Sequence, residues 1–286
     1  MSDDGLIAVF DSGVGGLSVW RHIVRQLPSE DTLYLADQAH VPYGHRSLSE
    51  VRQFCSEIGR FLLRQGATII VIACNTASAA ALKYLRDVFP QVPFVGMEPA
   101  VKPAVARTQI GAVGVLATEA TFQGELFSSL LDRYAGDVDV ITQVCPGLVD
   151  AVEAGALETA ETEALLRTYL TPLLRAGIDQ LVLGCTHYPF LLPTIDRVIE
   201  GRASIIDPAP AVARQTALVL AQTRGGARTG HVGRHRFYTT ADVEVLRGMV
   251  LRLLPESGCA VEINRARWVG GQLFSRHPVS RRAILR

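Results

Sequence analysis

Short apolar runs rich in β-branched residues alternate with longer amphipathic segments, and this alternation limits the possible folds more than any other feature. Each run is followed by a helix-like pattern and then by another run, which is typical of α/β proteins with mainly parallel sheets. The pattern predicts strands at residues 6–10, 32–36, 68–73, 94–96, 111–116, 139–142, 180–184 and 204–206. It predicts helices at residues 47–65, 79–89, 122–134 and 159–176.

Length and composition argue against several classes of protein. The 286 residues suffice for one large domain or two smaller ones, and the apolar content of 48% indicates an ordered globular chain. Basic and acidic residues are equal at 28 each, so the net charge favours neither nucleic acid nor an anionic membrane. No apolar run reaches the roughly 18 residues of a membrane span, and the acidic start does not resemble a signal peptide. Five cysteines, a small and odd number, predict reduced thiols in the cytoplasm.

Two of the predicted strands end in a cysteine that small polar residues follow. Residues 68–80 read TIIVIACNTASAA, and residues 179–190 read DQLVLGCTHYPF. A weaker repeat precedes them, because LIAVFDSGVGG and AVGVLATEATFQG both pass from a strand through small polar residues to a helix. The spacing is similar, with 63 positions from Asp11 to Cys74 and 67 from Thr118 to Cys185. Since ligands bind at the carboxyl ends of parallel strands, we expect two related halves that face one cleft.

The turn at residues 11–16, DSGVGG, is a candidate anion site because its backbone N–H groups lie between a strand and a helix. Its glycines lack the spacing of a dinucleotide motif and no P-loop lysine is present, so a small carboxylate fits better than a nucleotide. Asp11 can bind an ammonium group and Ser12 can donate its hydroxyl. Asp11 and His187 are also candidates to assist proton transfer at a thiol.

Four chemical assignments for the two cysteines remain open. A thiol nucleophile activated by histidine requires only one of them. Zinc could be bound by Cys74, Cys185 and His187, although Cys-x-His is an unusual spacing and no C-x-x-C is present. A redox disulfide requires sulfur atoms about 2 Å apart. Two thiols on opposite faces of one carbon atom explain the duplication directly, and they predict sulfur atoms roughly 6 to 8 Å apart.

Five motifs in order resemble the glutamate racemases of the cofactor-independent aspartate/glutamate racemase superfamily. They are VFDSGVGGLSV, DQAHVPYG, ACNTASA, LVDAVEAG and GCTHYP, and the resemblance extends from about residue 6 to residue 210. It implies a cytoplasmic enzyme that interconverts L- and D-glutamate without pyridoxal phosphate or a metal and supplies D-glutamate for peptidoglycan. It also implies a homodimer, with glutamate as the small-molecule partner and neither nucleic acid nor a membrane.

The resemblance further implies two pseudo-symmetric α/β domains with mainly parallel sheets and the active site in the cleft between them. Residues 1–97 together with residues 208–286 are expected to form the first domain. Residues 98–207 are expected to form the second.

Roles for individual residues also follow from the resemblance. Cys74 is implied to serve D-glutamate with Asp11 as its helper, and Cys185 is implied to serve L-glutamate with His187 as its helper. Substrate contacts are implied for Asp11 and for Ser12, Pro42, Tyr43, Gly44, Asn75, Thr76, Thr121 and Thr186.

Two acidic residues and two departures from the family pattern complete these expectations. Asp37 and Glu153 match acidic residues near the site, with roles that the resemblance leaves open. Gly124 stands where the family often carries a serine, so one polar contact or cap near Thr121 is expected to be missing. The basic segment after about Asn264 extends past the usual end of the family and is weakly patterned. It is expected to be a solvated tail; the alternatives are disorder, docking on its own domain or on a neighbouring subunit, and a nucleic-acid role that no motif supports.

Two other functions remain open from the sequence. A relative acting on aspartate, a hydantoin or a malonate would share these motifs, although the presence of both cysteines favours racemisation over decarboxylation. A binding or regulatory protein with the same fold would act through partner contacts, and the nearly complete set of site residues argues against it.

Overall fold

The computed structural model describes residues 5–224, 228, 230–255, 260–275 and 282–284. Its strands are β1 (Leu6–Asp11), β2 (Asp31–Ala36), β3 (Ala67–Ile72), β4 (Phe94–Val95), β5 (Ala112–Ala117), β6 (Asp139–Val144), β7 (Gln180–Leu183), β8 (Ser204–Ile206), β9 (His235–Thr239), β10 (Ala260–Val269), β11 (Gln272–Ser275) and β12 (Arg282–Ile284). The eight predicted strands are all present, with ends that differ by at most two residues.

The α-helices connect these strands. They are α1 (Leu17–Gln26), α2 (Leu48–Arg64), α3 (Asn75–Val88), α4 (Val101–Arg107), α5 (Glu119–Gln123), α6 (Glu125–Tyr134), α7 (Leu148–Glu153), α8 (Ala160–Arg175), α9 (Leu192–Ile199), α10 (Ala209–Arg224) and α11 (Val243–Leu253). Within the described ranges, none of them combines the length and the apolarity needed to cross a bilayer.

The strands form two sheets with a repeated topology. The first has the order β11-β10-β9-β2-β1-β3-β4, with β12 paired to β10, and the second has the order β6-β5-β7-β8. All pairs are parallel except those that β10 makes with β11 and β12. The order β2-β1-β3-β4 matches β6-β5-β7-β8, so β1 corresponds to β5 and β3 corresponds to β7. The predicted α/β fold with mainly parallel sheets is confirmed.

One apolar core connects the two sheets. Val9 and Val71 of the first sheet belong to the same cluster of buried side chains as Leu116 and Leu183 of the second. Separate clusters cover the opposite face of each sheet. Because these strands are buried on both faces, their sequences are continuous apolar runs rather than alternating ones. The shared core brings the carboxyl ends of β1, β3, β5 and β7 to the same region.

Capping determines where two helices near this region begin. Helix α2 starts after Ser47, whose hydroxyl accepts the Glu50 N–H while the Glu50 carboxylate accepts the Ser47 N–H. Helix α3 starts at Asn75, four residues earlier than predicted, and Cys74 is its N-cap. The Cys74 sulfur accepts the Ala77 N–H at 3.4 Å, so the thiol lies at the N-terminus of α3.

The helix predicted at residues 122–134 is divided into two. Helix α5 ends at Gln123, α6 begins at Glu125, and Gly124 between them has an extended conformation (φ −73°, ψ 139°). A Cβ atom at Gly124 would lie 2.8 Å from the Cβ atom of Ala79 on α3. The glycine therefore allows these elements to touch, and a serine here would require α3 to shift.

The segment after Asn264 differs from the expected solvated tail. Strand β10 continues to Val269, and β11 returns beside it as the second strand of a hairpin. The side chains of Ala266 and Leu273 are buried. Charged residues alternate with these apolar ones, as in a strand with one solvated face, and this alternation conceals the strand in the sequence. Residues 1–4, 225–227, 229, 256–259, 276–281 and 285–286 of the expected first domain lie outside the described residues.

Candidate active site

Residues from the carboxyl ends of both sheets line one small cavity. Cys74 follows β3, Cys185 follows β7, and both line its wall. Ten of the fourteen predicted site residues are at the wall: Ser12, Pro42, Tyr43, Gly44, Cys74, Asn75, Thr76, Cys185, Thr186 and His187. The other four lie behind it and hydrogen-bond to residues that line it: Asp11, Asp37, Thr121 and Glu153.

The cavity offers a very small space. Its volume of about 10 Å³ is about what a single water molecule requires. Its two walls touch, because a Cβ atom on Gly44 would lie 2.9 Å from the Cβ atom of Thr118. Gly44 follows the first sheet's β2, whereas Thr118 follows β5 of the second sheet. An amino acid can therefore bind only after elements of the two sheets have moved apart.

Cys74 is a buried thiol beside a carboxylate. Its Sγ atom is 4.0 Å from the Ser12 hydroxyl oxygen, and it accepts the Ala77 N–H at the start of α3. Burial raises the pKa of the Cys74 thiol, the charge of Asp11 raises it further, and the Ala77 N–H acts in the opposite direction. Cys74 therefore rests as a thiol and is able to donate a proton.

Cys185 begins a chain of polar contacts that leads away from the cavity. Its Sγ atom is 3.7 Å from His187 Nδ1, and His187 Nε2 is 2.7 Å from Glu153 Oε1. Burial lowers the pKa of His187, but the hydrogen bonds to Cys185 and Glu153 outweigh it and raise the pKa well above its ordinary value. Burial raises the pKa of Glu153, and its hydrogen bonds from His187, Val14 and Gln38 reverse this, so the net shift is downward. An imidazolium held by a carboxylate can stabilise negative charge on the Cys185 sulfur.

Asp11 ends β1 and is fully buried. Its Oδ1 atom accepts the Gly13 N–H at 2.8 Å, and its Oδ2 atom accepts the Thr186 hydroxyl at 3.0 Å. Burial raises its pKa to about 6, with the charge of His187 acting in the opposite direction. Asp11 therefore titrates near neutral pH, which suits a group that exchanges protons in the site.

Replacing Asp11 with asparagine is expected to stabilise the fold at alkaline pH. The folded-state pKa of about 6 exceeds the ordinary value of 3.8, so the folded protein retains a proton that the unfolded chain loses between these pH values. The free energy of unfolding of the wild type therefore falls as the pH rises through this range. Urea denaturation of Asp11→Asn should show a gain of about 1 to 3 kcal/mol at pH 8 and little gain at pH 4.

A second aspartate supplies a control of opposite sign. Burial raises the pKa of Asp179, but hydrogen bonds from Thr108 and two backbone N–H groups together outweigh this effect and lower the pKa. Asp179→Asn should therefore reduce the free energy of unfolding at pH 8. An equal gain for Asp11→Asn at pH 4 and pH 8 would contradict the assignment of the raised pKa.

The side chain of Asn75 lines the cavity without a protein partner. It is 3% exposed, and among the described residues neither its amide nitrogen nor its amide oxygen is hydrogen-bonded. Buried amides without partners are costly and rare. A bound molecule with polar groups would supply the missing partners, so this part of the wall is prepared for a polar ligand.

Sequence reasoning missed two residues that line the cavity, Thr118 and Val149. The Thr118 hydroxyl is 2.8 Å from that of Thr76 and 2.9 Å from that of Thr121. It therefore connects helix α3, which follows β3 of the first sheet, to helix α5, which follows β5 of the second. The repeat contained a signal for it, because Thr118 follows β5 where Asp11 ends β1. For Val149, an apolar residue of α7, the sequence carried no such signal.

The described cysteines Cys55, Cys74, Cys145 and Cys185 are all free thiols. Among the described residues, no group of three or more His, Cys, Asp or Glu side chains has an arrangement that could hold a metal ion. Cys74 and Cys185 thus face one cavity as two independent thiols.

This fold agrees with comparisons to known proteins. The family model described as Asp/Glu/Hydantoin racemase matches residues 7–216, and the chain belongs to this family. The family expected from the five motifs is therefore confirmed. A curated relative, the glutamate racemase of Pseudomonas aeruginosa, is 52% identical over 253 residues, which cover 88% of this chain and 94% of the relative.

Two solved structures resemble the whole fold. Glutamate racemase from Francisella tularensis, solved in complex with D-glutamate, is 29% identical with a TM-score of 0.79, covering 91% of this chain and 97% of that one. Glutamate racemase from Escherichia coli, solved with L-glutamate and the activator UDP-MurNAc-Ala, is 30% identical with a TM-score of 0.81, covering 93% and 99%.

Proposed function

We propose that this protein interconverts L- and D-glutamate by proton transfer at Cα between the substrate and Cys74 and Cys185, without a cofactor. One observation carries the proposal: two free thiols, delivered by topologically equivalent strands, line the same cavity. The relatives named as glutamate racemases, two of them solved with opposite enantiomers of glutamate, support the choice of substrate. Supply of D-glutamate to peptidoglycan in the cytoplasm, assembly as a homodimer and the division into domains 1–97 with 208–286 and 98–207 belong to the same proposal.

The reaction balances with one thiolate, one thiol and no other reactant. In the L-to-D direction a Cys185 thiolate removes the Cα proton, and the electron pair of the C–H bond passes to the carbanionic substrate. The Cys74 thiol then donates its proton to the opposite face, so D-glutamate forms while Cys185 ends as a thiol and Cys74 as a thiolate. D-glutamate reverses these steps, and proton exchange through His187 or Asp11 restores the starting state. The sulfur separation of roughly 6 to 8 Å stays a prediction.

The weak acidity of the Cα proton sets the main demand on the site. Each tenfold gain in rate corresponds to ~1.4 kcal/mol of barrier, and donors that are already oriented supply it most effectively. The unpartnered amide of Asn75 and the N-terminus of α3 favour negative charge on the α-carboxylate, together with Thr76 and Thr186. The remaining predicted contacts, at Ser12, Pro42, Tyr43, Gly44 and Thr121, are assigned to the rest of the substrate.

The test is racemisation of L-glutamate in D₂O by purified, reduced protein without added cofactor. Optical rotation and deuterium at Cα are followed together. We expect the optical rotation to decay to zero and the D-glutamate formed to carry deuterium at Cα, because the proton it receives comes from a thiol that exchanges with solvent.

Two results would contradict the proposal in different ways. Turnover of aspartate but not glutamate would retain the two-thiol chemistry and change the substrate. Folded, reduced protein that turns over none of the acids accepted by this family would favour a binding protein instead. Pyridoxal phosphate added to a parallel sample is the control for a cofactor requirement, and it should change neither rate nor product.

A further inference from the structure

The buried carboxylate of Asp37 lies directly behind the cavity wall and accepts four hydrogen bonds. Its Oδ2 atom accepts the Tyr43 hydroxyl at 2.7 Å and His40 Nδ1–H at 2.9 Å. Its Oδ1 atom accepts the Thr240 hydroxyl at 2.9 Å and Trp268 Nε1–H at 2.7 Å. These bonds use all of the roughly four lone-pair sites that a carboxylate offers, so the orientation of Asp37 is tightly defined.

The indole of Trp268 reaches this carboxylate from the C-terminal hairpin. Trp268 lies on β10, which is two strands away from β2 in the first sheet. Its ring meets His40 edge-on with centroids 5.1 Å apart, and it lies 5.8 Å from the ring of Phe54. The His40 and Phe54 rings stack at 4.0 Å, and Phe54 also lies 5.8 Å from Tyr43. Trp268 therefore acts on the surroundings of Tyr43 both through Asp37 and through an aromatic cluster.

We infer that Trp268 and Asp37 are positioning residues that hold Tyr43, and with it the wall at residues 42–44, in the arrangement that binds glutamate. The inference rests on the proposed function. Tyr43 is 1% exposed, and its hydroxyl donates a hydrogen bond to Asp37. The position of the Tyr43 ring therefore depends on the orientation of the Asp37 carboxylate. The Asp37 orientation in turn depends on a donor outside the residues matched by the family model, which end at 216.

Loss of the indole N–H should loosen this arrangement in a specific way. Without it, the Oδ1 atom of Asp37 retains only the Thr240 hydroxyl, and the carboxylate is held less tightly by the three hydrogen bonds that remain. The wall at residues 42–44 then samples more positions, which weakens substrate binding in the ground state and the transition state alike. An equal loss of binding free energy in the ground state and the transition state raises KM and leaves kcat nearly unchanged.

The test uses Trp268→Phe, which keeps an aromatic ring against His40 and removes the N–H donor. We expect KM for both enantiomers of glutamate to rise about tenfold, equivalent to ~1.4 kcal/mol, with kcat changed by less than about twofold. Tyr43→Phe should give a similar rise. The double variant should show little further loss, because both changes interrupt one chain of contacts.

Phe274→Leu is the matched control, since Phe274 is an aromatic residue of the same hairpin that is 49% exposed and lies on β11. It should leave KM and kcat at wild-type values.

Hydrogen exchange, measured by mass spectrometry without substrate, gives a readout that does not depend on glutamate. In Trp268→Phe, exchange should accelerate in residues 38–46 and stay unchanged elsewhere.

These measurements separate the inference from the proposed function. A wild type that does not racemise glutamate defeats the proposed function, while the exchange data still decide whether Trp268 orders the wall. Wild-type KM with wild-type exchange in Trp268→Phe would overturn the inference. Additive effects of the two single substitutions, or faster exchange over the whole chain, would also overturn it, because either outcome indicates a general structural role.

Discussion

Replacing either Cys74 or Cys185 with serine is expected to reduce kcat for glutamate racemisation by about 10³-fold or more, because one face of Cα loses its proton donor and acceptor. A hydroxyl is a far weaker acid than a thiol, so serine cannot take over the role at neutral pH. The fold should be retained, since the change exchanges one atom. At residue 74 serine is also a favourable N-cap, so α3 should begin where it does in the wild type.

Isotope exchange in D₂O gives each cysteine variant its own signature. Cys74→Ser retains Cys185, so any residual exchange at Cα should be confined to L-glutamate and proceed without inversion. Cys185→Ser retains Cys74 and should show the converse with D-glutamate. Cys55→Ala, at a buried free thiol that does not line the cavity, is the control and should keep both activities. Full racemisation by either serine variant would contradict the two-thiol mechanism.

Replacing Glu153 with glutamine is expected to lower kcat/KM by about 10²-fold and to move its alkaline limb to lower pH. Glu153 Oε1 lies 2.7 Å from His187 Nε2 and is one cause of the raised pKa of His187. A neutral amide removes that stabilisation, so the imidazolium loses its proton at a lower pH than in the wild type. Above that pH the Cys185 sulfur no longer faces a positive charge, and activity declines.

An isotope measurement shows which of the two proton abstractions, from L-glutamate or from D-glutamate, the Glu153 substitution slows. The two enantiomers have equal free energy, so kcat/KM must fall by the same factor in both directions. The primary deuterium isotope effect should increase for L-glutamate, from which we propose that Cys185 removes the proton, more than for D-glutamate. Glu158→Gln is the control, because Glu158 is 60% exposed and pairs with Arg197 rather than with His187. A pH profile identical to that of the wild type would show that Glu153 does not set the charge of His187.

Most of the fold was predictable because its signals are local. Strands buried on both faces must be apolar throughout, so β3 and β7 are visible as continuous runs, and each ends where a cysteine meets small polar residues. The corresponding order of β2-β1-β3-β4 and β6-β5-β7-β8 follows from the repeat that the spacing already indicated. Strand β10 escaped prediction because one of its faces is solvated and its charged residues obscure the apolar ones.

The features that the sequence did not predict near the site have a different cause. The division between α5 and α6 depends on the close approach of Gly124 to Ala79, which lies on another helix. The bond from Trp268 to Asp37 joins residues 231 positions apart, and neither motif nor spacing connects them. Contacts of this kind depend on which surfaces pack together, and that is not encoded in any short stretch of the chain.

By itself, the sequence determined the α/β class, the family, and the position of two thiols at equivalent strand ends, because apolar periodicity and short motifs are properties of neighbouring residues. The tertiary structure alone decided what each thiol faces. Burial beside Asp11 raises the pKa of Cys74, whereas Cys185 lies 3.7 Å from a histidine held by Glu153. Glu153 itself accepts the Val14 N–H from the turn after β1, so this electrostatic environment exists only when the two sheets are packed together.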